Sequence, residues 1–260
     1  MNFPIKRLVD GRALLNIGCG RRMNRSWTNV DFSPYARLAH HPRAARLLHG
    51  TGLLSDLRYE RLQQVDPEIV CWDLRRGIPY PTGTFDVVYH AHFLEHVPRD
   101  AARLLLTECH RALRSGGILR VVVPDLQALA AAYLDAATRL ERGDHAAKDD
   151  HQHTIAEIFE PMVRTGSAGN IHRSRVVRFA ERLIRGNADR TGELHCWIYD
   201  KHSLGDLLAG VGFTAVRTEE PATSRIAGWK DFGLDADPDG RVDRPGSLYM
   251  EAVASLKHEG

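Results

Sequence analysis

A glycine pair after a short apolar run is the first candidate for a ligand-binding loop. Gly18, Cys19 and Gly20 directly follow the run ALLNI at residues 13–17. Glycine lets the backbone turn tightly and present its amide groups close to a ligand. A dinucleotide-binding loop would carry a third glycine where Met23 stands, which disfavours an NAD site. The alternative is a tight turn that serves packing alone.

Two acids stand at the ends of the next two apolar runs. Asp31 follows residues 27–30, and Asp73, with Leu74 after it, ends the run at residues 68–72. A carboxylate at a strand end can accept hydrogen bonds from ribose hydroxyls or from an adenine amino group. Either acid alone is equally consistent with a helix cap. A glycine turn and two acidic strand ends in succession favour a nucleoside-containing cofactor.

His92, Glu95 and His96 form the pattern His-x-x-Glu-His. As a sequence pattern alone, it matches the inverted motif of zinc proteases. It directly follows a predicted strand, which argues against protease chemistry. We predict that His96 is a general base, because a neutral imidazole can take a proton from a reacting hydroxyl. Glu95 would hold the imidazole in one tautomer; the alternative is that this pair caps a helix.

The elements that position these residues alternate along the chain. The apolar runs are four to six residues long, β-branched and flanked by Gly, Pro or Asp, which is typical of strands. Alternation with helical patterns favours a parallel sheet covered on both faces, with ligands at the carboxyl ends of the strands. The predicted strands are residues 13–17, 27–30, 68–72, 85–89, 118–123, 213–217 and 247–254.

Apolar positions spaced by three and four predict an amphipathic helix over residues 99–114, with Gly116 and Gly117 as its C-terminal stop. Further helices are predicted at residues 126–142 and at residues 201–211, the latter closed by Gly212. Residues 229–245 are predicted to form a polar, turn-rich loop.

Residues 143–191 change in character and are predicted to be an insertion or cap within a single domain of residues 1–260. The stretch is polar and rich in Arg, Gly and His, with helical patterns around residues 155–163 and 176–185. We expect it to cover the acceptor side of the site and to be mobile without ligand. Its histidines are His145, His151, His153 and His172. His151 and His153 lie beside Asp149 and Asp150, where a polar solvated loop is favoured over the alternative of a metal site.

Composition excludes several classes of protein. The 260 residues are 43% hydrophobic and 26% charged, as in ordinary globular domains. The 35 basic and 33 acidic residues nearly cancel, and neither a basic stripe nor an aromatic ladder suggests nucleic acid. Four scattered cysteines favour neither a disulfide framework nor a zinc finger. We expect a cytoplasmic protein without a secretory signal or a membrane span.

These motifs, taken in order, resemble class I S-adenosylmethionine-dependent methyltransferases, and most closely small bacterial ones. The segments that carry the resemblance are LLNIGCG (14–20), WTNVD (27–31), DLRRGIPYPTGTFDVVYHAHFLEHV (73–97), ECHRALRSGGILRVVVPDL (108–126) and SLYMEA (247–252). The likeness runs from about Leu14 to Ala254 and is weakest over residues 143–191. It implies an α/β fold with a Rossmann-like, mostly parallel sheet, an antiparallel last strand and helices on both faces, plus the helical insertion.

The resemblance also implies a site for S-adenosylmethionine. The glycine loop would lie beside the methionine part of the cofactor, Asp31 would bind the ribose and Asp73 the adenine. His90 and Ala91 would lie where the segment after the fourth strand passes the cofactor sulfonium. The cofactor-binding residues implied in this way are Asn16, Gly18, Cys19, Gly20, Asp31, Asp73, Leu74, His90 and Ala91.

Two features depart from the family pattern. Asn16 stands where the glycine motif usually opens with an acid, so it offers no carboxylate to the cofactor amine. Only ten residues separate Gly20 from Asp31, too few for a full crossover helix. The first helix must therefore be short or replaced by a loop.

The resemblance says less about the residues that bind the methyl acceptor. Some related methyltransferases bind a metal through an acid-x-x-Glu-His group, but His92 replaces the first acid, and we predict no metal. His92, His172, His195 and Tyr199 are the predicted acceptor-binding residues; His195 and Tyr199 belong to the family-like segment HCWIYD.

The predicted activity is methyl transfer to an oxygen atom of a small-molecule or glycan-type acceptor. No oligomeric state is predicted. The alternatives are a noncatalytic cofactor-binding or interaction protein and, less favoured, an NAD-dependent oxidoreductase.

Overall fold

In the part of the chain that the structure describes, seven strands form one sheet in the order β3-β2-β1-β4-β5-β7-β6. The computed structural model describes residues 3–20, 22–163, 194–237 and 239–255. Strands β1 to β5 pair in parallel, whereas β7 runs antiparallel to both β5 and β6. The strands are β1 (Leu14–Ile17), β2 (Thr28–Asp31), β3 (Val70–Cys71), β4 (Phe85–Ala91), β5 (Leu113–Pro124), β6 (Phe213–Glu219) and β7 (Ser247–Ala254).

This order confirms the predicted Rossmann-like sheet with an antiparallel last strand. The strand order reverses between β1 and β4, which is where open α/β sheets bind ligands at their carboxyl edge. The described helices are α1 (Pro34–Ala39), α2 (Pro42–Gly50), α3 (Asp56–Gln63), α4 (Arg99–Ala112), α5 (Leu126–Glu141), α6 (Ala147–Val163), α7 (Lys201–Val211) and α8 (Trp229–Phe232).

One face of the sheet is covered by α4 and α7. The buried face of α4 carries Leu105, Leu106 and Cys109, while Leu204 and Leu208 face the same core from α7. As predicted, α7 ends at Gly212, which has a left-handed φ of 109°. Burying these apolar faces stabilises the layer that holds the strands in register.

The opposite face packs against residues 220–237, which include α8. Trp229 and Leu234 from this segment are buried with Trp27 and Tyr89 of the sheet side. The loop predicted at residues 229–245 is thus partly wrong, because its first part is a short helix and a buried anchor.

A buried ion cluster fastens this segment to the sheet. Arg120 of β5 is fully buried and lies 2.8 Å from Asp235 and 2.9 Å from Glu251. It also donates to the carbonyl oxygens of Glu220 and Thr223. A buried guanidinium needs this number of acceptors, because an unpaired charge there would be strongly destabilising.

The predicted helix stop at Gly116 and Gly117 is wrong. Helix α4 ends at Ala112, and Leu113 already belongs to β5. Leu113 pairs with Phe85 whereas Ile118 pairs with Val87, so the intervening residues bulge out of the strand pair. The glycines allow this bulge.

No described helix lies between β1 and β2, as the short spacing predicted. In the stretch predicted to be an insertion, α6 begins at Ala147, eight residues before the predicted helix, and residues 164–193 lie outside the described residues. None of the four cysteines, all within the described ranges, forms a disulfide bond. None of the helices in the described ranges is both long and apolar enough to cross a membrane.

Candidate functional site

The glycine loop follows β1 at the carboxyl edge, next to the end of β2. Gly18 and Gly20 have left-handed φ values of 59° and 52°. The Gly18 amide donates to the carbonyl of Val30 at 2.9 Å, and the Gly20 amide donates to Asp31 Oδ2 at 2.8 Å. The buried Cys19 lies between them, and burial raises the pKa of its thiol. The loop is therefore tied to the end of β2.

Phe93 closes this loop from the β4 side. A Cβ added at Gly18 would lie 2.4 Å from the Cγ atom of Phe93, so only glycine fits under the ring. At Gly20 a Cβ would meet nothing within 4 Å. Phe93 is not among the predicted site residues, because an aromatic residue between two polar motifs carries no local signal for this contact.

Asp31 is the last residue of β2 and is buried. Besides the Gly20 amide, its carboxylate accepts from the backbone amide of Ser33 at 2.5 Å. Each carboxylate oxygen retains lone-pair capacity for a further hydrogen bond. Asp31 thus combines a role in holding the loop with capacity for a ligand.

Asn16 lies within β1 and is also buried. Its amide nitrogen donates to the carbonyl of Arg22 at 2.7 Å and to Oδ1 of Asn29 at 3.2 Å. Its own Oδ1 is buried and has no hydrogen-bond partner among the described residues. An acceptor left in this way is suited to a donor from outside the chain.

Asp73 and Leu74 follow β3 at the same edge. Asp73 caps the 3-10 turn of Leu74–Arg76 and is paired with Arg75 through contacts of 2.6 to 3.1 Å. The Arg75 hydrogen bonds lower the pKa of the Asp73 carboxyl below its usual value. The carboxylate is therefore charged, but Arg75 occupies part of its acceptor capacity.

His90 and Ala91 end β4, with His90 fully buried. Neither ring nitrogen of His90 has a hydrogen-bond partner in the described part of the chain. Burial lowers the pKa of this imidazole from 6.5 to about 4, and the nearby Glu95 carboxylate opposes the shift. The ring is neutral at pH 7 and offers one donor and one acceptor.

The turn after β4 holds Glu95, which is fully buried. Its Oε1 atom lies 3.2 Å from Nδ1 of His92 and 4.0 Å from Nε2 of His96. Its Oε2 atom has no hydrogen-bond partner among the described residues. Burial alone would raise the pKa of Glu95, but the contacts with His92 and His96 bring it below its usual value.

His92 has a left-handed φ of 48°, which is uncommon outside glycine. Its Nδ1 atom faces Glu95, and its Nε2 atom lies 2.9 Å from the hydroxyl of Ser247 at the start of β7. An N–H at Nδ1 would point its positive end at the Glu95 carboxylate and leave Nε2 to accept from the serine. Ser247 is another residue that the sequence did not indicate, since β7 is distant in the chain.

Residues 194–199 pack against the Glu95 turn. The amides of Cys196 and Trp197 both donate to the Glu95 carbonyl, at 2.6 and 3.2 Å. This brings the predicted His195 beside His96, with ring centroids 4.8 Å apart. The structure thus joins two predicted regions that are 100 residues apart in sequence.

Tyr199 is buried on the same segment, and its hydroxyl has no partner among the described residues. Burial, followed by the Glu95 charge, raises the pKa of Tyr199 to about 12. The last predicted acceptor residue, His172, lies outside the described residues.

Comparison with known proteins gives one family match in sequence. Residues 15–121 match the model of a family described as a methyltransferase domain. No curated protein matches the chain.

Several solved structures are similar at low identity. A possible exported protein from Bordetella parapertussis has a TM-score of 0.42 and 14% identity over 97% of this chain and 63% of that one. An S-adenosylmethionine-dependent methyltransferase from Archaeoglobus fulgidus has a TM-score of 0.37 and 13% identity over 92% and 85%. The 1,6-didemethyltoxoflavin-N1-methyltransferase of Burkholderia thailandensis, solved with S-adenosylhomocysteine, has a TM-score of 0.41 and 16% identity over 94% and 71%. With TM-scores below 0.5, these similarities carry no argument about acceptor or partner.

Proposed function

The chain carries a class I S-adenosylmethionine-dependent methyltransferase domain, and from that premise we propose that the protein methylates a hydroxyl oxygen of a small-molecule or glycan-type acceptor. The observation that carries the proposal is the meeting of the glycine loop, Asp31, His90 and the Glu95 turn at one edge of the sheet. The ends of β3, β2, β1 and β4 are neighbours there.

The residues at this edge fit S-adenosylmethionine. Two left-handed glycines bring the loop backbone to this edge beside an open space at Gly20, and the buried Asn16 Oδ1 is an acceptor without a hydrogen-bond partner among the described residues. Asp31 supplies a carboxylate for ribose hydroxyls, and His90 supplies two buried ring nitrogens that have no hydrogen-bond partner in the described part of the chain. We propose that these residues, together with Asp73 and Leu74, hold the cofactor.

When bound, S-adenosylmethionine supplies a methyl group on a sulfonium, which makes that methyl electrophilic. The chain's task is then to align the acceptor and to deal with the proton that its hydroxyl must lose. We propose that His96, supported by Glu95, acts on the acceptor hydroxyl. Nδ1 of His96 faces the Leu194 carbonyl at 3.0 Å and must donate to it, so Nε2 carries the lone pair.

A cavity at the same edge supports a small acceptor. It has a volume of about 390 Å³ and lies where β5 and β6 end and β7 begins. Its lining is polar and includes Asp125, Lys201, Arg244 and Ser247, the last of which contacts His92. A volume of this order suits a small molecule, and a polar lining suits hydroxyl groups.

We further propose that residues 143–191 cover the acceptor side. The described part supports this, because the Pro161 carbonyl at the end of α6 accepts from the His195 amide at 2.9 Å. Helix α6 is also linked to α5, since Arg139 pairs with Asp150 at 2.9 Å. The end of the insertion's described helix therefore adjoins the predicted acceptor residues.

Calorimetry with S-adenosylhomocysteine, followed by an untargeted screen for methyl acceptors, tests the proposal. Binding is expected for the wild-type protein, and Asp31→Ala is expected to weaken it by roughly 1–3 kcal/mol. Asp10→Ala, at an exposed carboxylate near the N-terminus, is the matched control and should bind normally. Absence of binding at millimolar concentration would overturn the enzyme proposal. Binding without transfer to any acceptor would favour a noncatalytic cofactor-binding protein.

A further inference from the structure

We infer that Glu95, His96 and His195 form a binding site for a divalent transition-metal ion of the zinc type. One ligand atom from each residue lies within 4.8 Å of the other two. Zinc–nitrogen and zinc–oxygen bonds are about 2.0–2.2 Å, so ligand atoms of one ion lie about 3–4 Å apart. Binding one ion would draw the three ligand atoms closer together than they are here.

The carboxylate of Glu95 is the group that most needs a cation. It is fully buried, and its Oε2 atom lacks a hydrogen-bond partner among the described residues. A buried carboxylate with an unsatisfied oxygen is costly, whereas a coordinated cation compensates its charge directly. His92 faces only the other oxygen, Oε1, at 3.2 Å.

His96 is oriented as a metal ligand. Its Nδ1 donates to the Leu194 carbonyl at 3.0 Å, and its Nε2 lone pair faces the Glu95 carboxylate at 4.0 Å. Metal-binding histidines characteristically donate their second ring nitrogen to a carbonyl or carboxylate, which fixes the tautomer.

His195 supplies the third ligand from a fixed backbone. Its amide donates to the Pro161 carbonyl, and the next amide, of Cys196, donates to the Glu95 carbonyl at 2.6 Å. The ring of His195 lies at 75° to that of His96. The backbone of the third residue is thus held against the turn that carries the other two.

The ligand set determines the class of metal. Two imidazoles and one carboxylate suit zinc and neighbouring transition metals, whereas magnesium prefers oxygen ligands. The sequence predicted no metal because, in the local His-x-x-Glu-His pattern, the first ligand would be His92. In the structure His92 bridges Ser247 and Glu95, and His195 takes the third position.

An ion with three protein ligands keeps a position for water or an acceptor oxygen. A metal-bound hydroxyl loses its proton more readily than a free one. The inference thereby deepens the proposed function, on which this last step alone rests: with its Nε2 lone pair held by the ion, His96 would act as a ligand and not as the base, and the acceptor hydroxyl would lose its proton to solvent.

Metal titration of the full-length, chelator-treated protein tests the site. Zn²⁺ is expected to bind one equivalent by calorimetry, and Co²⁺ to give visible absorption bands of a four- or five-coordinate ion. Mg²⁺ should bind at least tenfold more weakly than Zn²⁺. His195→Ala, which leaves the buried Glu95 in place, is expected to weaken Zn²⁺ at least tenfold and to abolish the Co²⁺ bands.

Two further variants keep the test decisive. His153→Ala removes an exposed histidine of α6 and should leave both signals intact. Glu95→Gln keeps the shape of the side chain and should also weaken Zn²⁺. Equal Zn²⁺ affinity in wild type and His195→Ala would overturn the site, as would a preference for Mg²⁺. S-adenosylhomocysteine affinity, measured in the same samples, should be unaffected by His195→Ala and so reports separately on the proposed function.

Discussion

At the residue scale, the buried imidazole of His90 links the cofactor edge to the pH dependence of stability. Its folded-state pKa is about 4 because of burial, against 6.5 for an exposed histidine. Between these values the unfolded chain binds more protons, so stability should rise with pH from about 4 to about 6.5. The full effect is on the order of 3 kcal/mol.

Urea unfolding of wild type and His90→Asn across this pH range measures that contribution. The variant is expected to show a shallower rise in the free energy of unfolding with pH. His153→Asn, at an exposed position, should keep the wild-type slope. If His90→Asn retained the full slope, the pH dependence would have to come from other groups.

Also at the residue scale, Gly18 and Gly20 form a matched pair. Both need a left-handed backbone, but only Gly18 lies beneath the Phe93 ring. Gly20→Ala should cost about 1 kcal/mol, the penalty for a left-handed alanine. Gly18→Ala should cost at least twice as much and should weaken S-adenosylhomocysteine binding.

Thermal unfolding checks this difference, and the double variant Gly18→Ala/Phe93→Ala checks its cause. Relieving the clash should make the double variant less destabilised than the sum of the two single variants. Strict additivity would show that Phe93 does not restrict Gly18.

At the element scale, residues 220–237 pack against the second face of the sheet. Asp235 accepts from Arg120 and, at 2.6 Å, from the hydroxyl of Tyr89. Asp235→Ala is expected to lower the free energy of unfolding by about 3 kcal/mol, because the buried Arg120 would keep only Glu251 as a counter-charge. Denaturant unfolding measures the loss.

The control for this prediction is Asp231→Ala, an exposed position in α8. It should change stability by no more than about 0.5 kcal/mol. Similar losses in both variants would mean that the ion cluster does not fasten the segment.

The strands were predictable at the element scale because each carries a local signal. Short β-branched runs bounded by Gly, Pro or Asp located all seven, and the spacing before Asp31 correctly excluded a full first helix. The role of Gly116 was not predictable, since a glycine that ends a helix and one that opens a bulge have the same local sequence. The burial of Asp235 depends on Arg120, 115 residues earlier.

The candidate site was likewise predictable only where a local signal exists. The residues placed at strand ends by the motifs do lie along one edge of the sheet, because parallel strands bring their carboxyl ends together. The contacts of Ser247 with His92, and of His195 with His96, join segments more than 90 residues apart. Only the folded chain brings such pairs together, so no local spacing could indicate them.

At the scale of the whole molecule, residues 143–191 are predicted to respond to ligand. They differ from the rest of the chain in their polar, Gly- and His-containing composition, and the end of α6 is hydrogen-bonded to the His195 segment. Limited proteolysis of the full chain should therefore cut first within residues 143–191. Bound S-adenosylhomocysteine should slow this cleavage. Ligand binding orders the edge of the sheet at the site, and with it the His195 segment that α6 contacts. Mass spectrometry of the fragments locates the cuts. Uniform resistance, unchanged by the ligand, would instead identify the stretch as a packed structural insertion with no part in covering the acceptor.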